Sequence, residues 1–420
     1  MKTAAKDFKM TELGPIPKDW EVKRLGEIGT FSKGSGISRD QAHTGWLPCI
    51  RYGEIYTDHN DWIRDFKSHI TSEIAAGAKL LNAGDILFAG SGETKEEIGK
   101  AVAYLGGEKN AYCGGDILVL SPHSEHSSKY LGYVLNSRPV VVQKASRGQG
   151  DAVVHIKADS LAEVSAPIPP LPEQRKIAAA LSDVDEMIAA SERLIEKKRK
   201  IKTGAMQRLL TGKTRLPGFK GAWVEKRLGD VCATFVSGAT PCRGVKSYWG
   251  GHIRWITSGE LNYNVIYETN EHITPKGVRE TNLIVHKPGT LLIAMTGMEA
   301  EGTRGRCAIV GAPSTTNQSC LALNGTDRCD ALFLYWYYVY KGKDLALTFC
   351  QGTKQQSYTA DIVRRLPVVL PPTLAEQKAI AKVLGDMDAE IAALEAELAK
   401  TRQLKQGMMQ ELLTGKVRLR

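Results

Sequence analysis

EQRKIAAALSDVDEMIAASERLIEKKRKIKTGAMQRLLTGKTRL runs from Glu173 to Leu216, and EQKAIAKVLGDMDAEIAALEAELAKTRQLKQGMMQELLTGKVRL runs from Glu376 to Leu419. The two stretches align without a gap at an offset of 203 residues, with 24 identities in 44 positions. The same offset brings Trp20, Lys23, Arg24, Leu25 and Gly26 onto Trp223, Lys226, Arg227, Leu228 and Gly229. The 420 residues are therefore one unit written twice. Between these anchors only landmarks recur. Ile50-Arg51 aligns with Ile253-Arg254, Gly53-Glu54 with Gly259-Glu260, and the run Gly84 to Ala89 with Gly289 to Ala294. Further on, Gly150 aligns with Gly352 and Ala158-Asp159 with Ala360-Asp361. The order of landmarks is kept while the polar residues between them change, the pattern of one scaffold carrying two different binding surfaces.

In the first copy Ile177, Leu181, Val184, Ile188 and Ile195 step by three and four, which predicts a helix with one apolar stripe. The second copy carries an unbroken heptad seam of Ile380, Leu384, Met387, Ile391, Leu394 and Leu398. Pro169, Pro170 and Pro172 set the start of the first helix, Pro371 and Pro372 that of the second, and Gly212 and Gly415 terminate them. A helix of some 39 residues is about 58 Å long and cannot bury its stripe alone. Two copies in one chain can do so on each other. The remaining segments mix short apolar runs with Gly-bounded turns, as at Asp85 to Phe88, Ile117 to Leu120, Ile253 to Ile256, Leu291 to Ala294 and Ala308 to Val310. Aromatic-rich runs near Tyr130 to Leu135 and Phe333 to Tyr340 read as helices packed on a sheet. The expected fold is α+β: two pseudo-symmetric globular domains with mixed sheets, residues 1–168 and 217–370. Each is followed by a long helix, 169–216 and 371–420, and the helices pair as an antiparallel coiled-coil spacer.

Composition sets the class. Hydrophobic residues make up 42% and charged residues 24%, the balance of a globular chain. The net charge of +10 favours a polyanionic partner. That excess is uneven: residues 1–172 hold 20 basic and 21 acidic side chains, 173–216 hold 11 and 6, 217–375 hold 17 and 12, and 376–420 hold 8 and 7. The eight cysteines form no Cys-x-x-Cys pair and read as reduced thiols. The amino terminus lacks the apolar stretch of a signal peptide, and the longest apolar run, Ala331 to Tyr340, is half a membrane span, so a cytoplasmic chain is expected.

No catalytic motif stands out. Leu-Thr-Gly-Lys-Thr at 210–214 lacks the earlier glycine of a phosphate-binding loop, that place being near Gln207. Asp85, Glu93 and Lys95 have the order of a magnesium-nuclease motif, but the second copy has Thr290 in place of the aspartate and no Glu-x-Lys after it, so a surface turn is the better reading. No histidine pair has zinc-ligand spacing, and neither a Gly-x-Ser-x-Gly elbow nor an Asp/Asn-Pro-Pro-Tyr/Phe methyltransferase motif is present. Two non-identical globular units on a rigid spacer suit a target with two separated, different half-sites, such as double-stranded DNA.

The chain resembles the specificity (S, or HsdS) subunit of type I restriction-modification systems. The resemblance rests on the two blocks from Pro170 to Lys213 and from Pro372 to Lys416, with their Glu-Gln-x-x-Ile-Ala starts and Leu-Leu-Thr-Gly-Lys ends. It also rests on the Trp-x-x-x-Arg-Leu-Gly openings at Trp20 to Gly26 and Trp223 to Gly229. The second proline motif is one residue longer than the first. The resemblance implies a non-catalytic reader of a split, asymmetric DNA site that binds two methyltransferase (M) subunits and two ATP-dependent restriction/translocase (R) subunits. S-adenosylmethionine, ATP and Mg2+ would then sit on those partners. Residue chemistry nominates Lys33, Ser35, Arg51, Tyr52, Lys95, Arg147 and Gln149 as DNA contacts in the first domain, and Lys246, Arg254, Trp255, Thr257, Lys354, Gln355 and Gln356 in the second. Glu173, Gln174, Asp183 and Asp185, repeated as Glu376, Gln377, Asp386 and Asp388, are expected on exposed helix faces as two equivalent docking sites for M.

Overall fold

The computed structural model describes residues 7–107, 109–297, 305–349, 356–357 and 359–419. It divides into two compact units, residues 1–192 with 397–420, and residues 193–396. Each unit thus owns one globular domain and part of both long helices, a division that cuts through the spacer segments read from the sequence.

In the first unit Ala101–Ala103, Ile86–Ala89, Ile117–Pro122 and Gly29–Lys33 form, in that order, an antiparallel sheet. A second sheet has the order Ser68–Ile70, Leu47–Ile50, Tyr112–Cys113 and Lys79–Leu80, with Leu47–Ile50 parallel to Tyr112–Cys113. Successive side chains of a strand face opposite ways. Leu87 and Ala89 accordingly pack with Ile50, Cys113 and Val119. Ile86 and Phe88 pack on the other face with Tyr130, Leu131 and Tyr133, from the helix Ser128–Val134. Burial on both faces explains why the strand reads as an uninterrupted Ile-Leu-Phe-Ala.

The second unit repeats this plan. Thr234–Ser237, Cys320–Asn324, Leu291–Ala294, Cys307–Val310 and Asn264–Ile266 form a five-stranded sheet, beside a three-stranded one of Glu271–Ile273, Trp249–Ile256 and Ser314–Thr316. The smaller sheet pairs Trp249–Ile256 with Ser314–Thr316 in parallel, and the larger one differs from its counterpart in a parallel edge, Asn264–Ile266 with Cys307–Val310. The aromatic run lies in the helix Ala331–Phe349 as expected.

The central helix Leu171–Leu209 and the C-terminal helix Leu374–Leu412 are both 39 residues long. Gly212 and Gly415, with φ of 68° and 70°, adopt the left-handed conformation that stops a helix after Leu-Leu-Thr. Within the second unit Lys198 pairs with Glu390, Arg199 with Glu395 and Lys202 with Asp388; within the first, Arg402 pairs with Glu192 and Lys405 with Asp185. Rising numbers on one helix meet falling numbers on the other, so the helices are antiparallel. Their stripes are not buried on each other alone. Ile177, Ala178 and Leu181 join Leu412 and Leu413 in the first domain's core, and Ile380, Ala381 and Leu384 join Met206, Leu209 and Leu210 in the second's. Each domain is completed by the start of its own helix and the end of the other.

Candidate nucleic-acid interface

In each domain one loop joins the first strand of the main sheet to the parallel-paired strand of the second sheet. The segment is GSGISRDQAHTG over 34–45 in the first domain and GATPCRGVKSYWGG over 238–251 in the second, where its last three residues open the strand Trp249–Ile256. Glycine holds both ends by close backbone contact. A Cβ on Gly34 would lie 2.0 Å from the Gly114 carbonyl oxygen, and one on Gly238 1.8 Å from that of Thr316. At the far end a Cβ on Gly45 would lie 2.1 Å from the Ile70 oxygen, and one on Gly251 2.4 Å from that of Ile273. No side chain fits at those distances. The scaffold therefore fixes where each loop leaves and returns, and leaves its length and chemistry free.

After the parallel-paired strand the chain turns through a short helix with a buried or half-buried glutamate at its third position. In the first domain Glu54 accepts from the Arg51 N–H at 2.9 Å and from the Ser68 hydroxyl. In the second, Glu260 accepts from the Thr257 N–H at 2.8 Å and from the Asn270 N–H at 2.9 Å. The pairings Ile50 with Cys113 and Ile256 with Thr316 make Arg51 the counterpart of Thr257, not of Arg254. The alignment of Ile50-Arg51 with Ile253-Arg254 is corrected by three residues, while Gly53-Glu54 with Gly259-Glu260 stands.

The loops open onto clefts with different side chains. The first domain's cleft, about 740 Å³, is walled by Arg39, His43, Arg51, Tyr52 and Lys67. Arg51 Nε is buried there without a hydrogen-bond partner among the described residues, an unsatisfied donor of a kind that is rare in folded chains. Nearby in sequence, Trp46 is 59% exposed, with the Lys109 ammonium 5.5 Å from its ring centre. The second domain's cleft, about 590 Å³, contains Arg243, Lys246, Trp249 and Glu271. Arg243 lies 4.0 Å from the Trp249 ring centre and forks onto Glu271 with both terminal nitrogens, which holds that carboxyl below its usual range. The first cleft sets Arg39, Arg51 and Lys67 among the carboxylates of Glu54, Asp58 and Asp116, with Arg51 3.8 Å from Glu54, and the second holds an arginine ordered by an aromatic and a carboxylate. Arginine, lysine and histidine around an open cleft can donate to phosphates and to purine edges.

The structure sorts the nominated DNA contacts. Lys33 ends the strand before the first loop, Lys95 lies on an exposed turn, and Lys246 sits in the second loop; all three are exposed and make no ion pair among the described residues. Tyr52 is exposed beside Arg51, and Ser35 donates to the Gly77 carbonyl at 3.0 Å. Gln149 is exposed, with its backbone bridged to His155. Others are engaged internally. Arg147 donates to the carbonyls of Gln143 and Glu163, Arg254 pairs with Glu268, and Thr257 caps its own turn through Glu260. Trp255 is a correction. It is 2% exposed, its indole N–H bonded to the Ala239 carbonyl, so it is core. Lys354 and Gln355 lie outside the described residues, and of Gln356 only the strand backbone is described. Sequence reading passed over Arg39, His43, Trp46, Lys67 and Arg243. The available signal was a polar stretch enclosed by glycines at matching places in both copies. Asp85, of the weighed nuclease motif, is buried and committed to Ser121 and the Asn82 N–H.

The helix residues expected on exposed faces are a second correction. Glu173, Gln174, Asp185, Glu376 and Gln377 are buried. The Glu173 carboxylate receives the Trp20 indole N–H at 3.1 Å and two bonds of 2.7 Å from Arg418, which also forks onto Asp19. Arg215 forks onto Glu376 in the same manner. Gln174 bonds the backbone of Ser127 and Pro169, and Gln377 that of Asp330 and Arg328. Each Glu-Gln pair fastens its helix to the domain beneath it, and each glutamate is reached by the arginine that follows the other helix. Asp388 is half-buried in the helix seam with Lys202, which leaves Asp183 and Asp386 as the exposed members of the set.

The profile of the family described as Type I restriction modification DNA specificity domain matches this chain twice, over residues 17–200 and 220–404. The chain belongs to that family of type I restriction-modification specificity subunits. A Methanocaldococcus jannaschii protein named as the specificity subunit of the type I restriction enzyme MjaX is 27% identical over 99% of this chain and 97% of its own. The MjaVIII specificity subunit of the same organism is 24% identical over 96% of this chain and 94% of its own. The crystal structure of a type I restriction-modification S subunit from M. genitalium has the same fold, with a TM-score of 0.62 at 15% identity, covering 94% of this chain and 96% of that one. Among the described residues of this specificity subunit, no group of three or more His, Cys, Asp or Glu side chains could hold a metal ion, and no helix is long and apolar enough to cross a membrane.

Proposed function

We propose that this specificity subunit is the non-catalytic DNA reader of a type I restriction-modification complex, each domain reading one half of a split, asymmetric site. The observation that carries this is the pair of glycine-pinned loops: one scaffold, two equivalent attachment points, and pinned segments of 12 and 14 residues with unrelated sequences. Equivalent placement gives two readers; different side chains give two different half-sites. The long helices carry the docking surface for two methyltransferase subunits, with Asp183 and Asp386 as equivalent exposed positions, and two restriction subunits complete the nuclease. S-adenosylmethionine, ATP and Mg2+ act on those partners.

The test is reconstitution with the methyltransferase subunit of the same system. The purified chain should neither methylate nor cleave DNA when S-adenosylmethionine, ATP and Mg2+ are supplied, and should confer sequence-specific methylation once the M subunit is added. Methylation or cleavage by the chain alone would overturn the non-catalytic assignment.

A further inference from the structure

The duplicated helical segments differ in charge although their sequences are closely alike. Residues 173–216 hold 11 basic and 6 acidic side chains, whereas 376–420 hold 8 and 7. In the second unit the central helix presents Arg193, Lys197, Lys200 and Arg208 along one exposed line, at spacings of four, three and eight residues. With 100° per residue these positions fall opposite the seam marked by Ile195, Lys198 and Lys202. The seam cations are neutralised by Glu390, Glu395 and Asp388. On the outer line only Lys200 has a carboxylate, Glu196 one turn back; Arg193, Lys197 and Arg208 make no ion pair among the described residues. Gly204 lies in the middle of the line, and a Cβ there would meet nothing, so the helix surface is open to close approach. The result is a shallow basic groove of about 630 Å³.

We propose that this groove on the central helix holds the sugar-phosphate backbone of the bound DNA, as a sequence-independent contact separate from the two reading loops; this rests on the DNA-reading function proposed above. The occupant follows from charge and copy number. The counterparts of Arg193, Lys197, Lys200 and Arg208 on the C-terminal helix are Ala396, Lys400, Gln403 and Glu411, so the line is not repeated. A subunit that docks twice on a duplicated scaffold needs the surface in both copies. DNA is present once, and a single cationic line suits it. Fifteen residues of helix span about 22 Å, the rise of some six to seven base pairs.

The experiment uses the full chain in complex with its M subunit and two labelled duplexes, one carrying the motif that the complex methylates and one of random sequence. The variant combines Arg193→Gln, Lys197→Gln, Lys200→Gln and Arg208→Gln; a control combines Arg193→Lys and Arg208→Lys. Each phosphate contact contributes about 0.9 to the slope of log affinity against log salt. The glutamine variant should lower that slope by up to about 3.6 on both duplexes, keep the methylated motif, and keep its M subunits, while the lysine control retains the slope. An unchanged slope in the glutamine variant overturns the proposal. Loss of M subunits from it does so too, since the line would then be a protein-docking face. Failure of the unaltered complex to prefer its motif would instead strike the reading in the preceding subsection.

Discussion

Lys405 and Lys202 occupy the same place in the two copies, yet their surroundings predict very different losses when either becomes methionine. Lys405 contacts Asp61 at 2.6 Å and Asp185 at 2.8 Å; the three side chains are 14%, 7% and 11% exposed. Asp185 also receives the Tyr133 hydroxyl at 2.7 Å. Lys405→Met leaves the buried Asp61 carboxylate without its cation and Asp185 with only Arg64, 3.9 Å away, a change of the class that costs about 3–5 kcal/mol. Lys202 pairs with Asp388, whose side chain is 47% exposed, so water takes over and the loss is at most about 1 kcal/mol. Both ammonium groups lie near an aromatic ring, Tyr133 at 5.4 Å and Trp336 at 5.0 Å, so that contribution cancels in the comparison. Burial already pushes the Asp61 carboxyl up, against the opposing pull of Lys405. Without the lysine the folded chain takes up protons more readily than the unfolded one, so the deficit of Lys405→Met shrinks as pH falls from 7 towards 5. Urea titration read by peptide-resolved hydrogen exchange separates the two units. Equal losses in the two variants, or a loss below about 1 kcal/mol for Lys405→Met, would refute the reasoning.

Other perturbations test other parts of the chain. Arg418→Ala should cost about 3 kcal/mol in the first unit, and Arg215→Ala a similar amount in the second, by chemical denaturation. Burial raises the Glu173 carboxyl, but bonds from Arg418 and Trp20 and the guanidinium charge more than reverse it, leaving it below its ordinary range. That stability is present above the unfolded carboxylate pKa and lost as pH falls through the folded one, so the gap to Arg418→Ala should close in acid; a gap constant down to pH 3 contradicts it. Lys144 is fully buried against the Gly99 carbonyl, and burial pushes its ammonium down to about 7. The unfolded lysine then holds a proton that the folded one has lost, so melting temperature should rise between pH 7 and 9; Lys144→Met should abolish that rise, and an equal rise in the variant would count against it. Gly238→Ala, forced against the Thr316 carbonyl, should cost about 1–3 kcal/mol and relax specificity in one half of the methylated motif only; equal relaxation in both halves would sever loop from half-site.

Periodicity and repetition made the scaffold legible. The helices, their proline starts and glycine stops, and the apolar strands such as Leu291–Ala294 all stand in the structure where the residues place them. The Glu-Gln pairs were misread because charge on a helix ordinarily faces water. Their burial depends on Trp20 and Arg418, distant in sequence, although both have counterparts in the other copy, Trp223 and Arg215. Repetition of a glutamate and an arginine together was the signal of an internal lock, which Trp20 joins in the first copy while the Trp223 indole N–H has no hydrogen-bond partner among the described residues. The loops were legible as glycine-rich but not as pinned, since Gly34 and Gly238 are required by carbonyl groups about 80 residues away. Trp255 followed from the three-residue misalignment, which moved a core position to the edge of the reading surface.

The most direct measurement is a genome-wide map of methyladenine in cells expressing this chain with its M subunit, repeated with loop 34–45 exchanged for one from another specificity subunit. The expected result is a motif of two different short segments separated by a fixed unread spacer, with the exchange altering one segment and leaving the other and the spacer intact. A continuous motif, a symmetric one, or an exchange that alters both segments would contradict the assignment of one half-site to each domain.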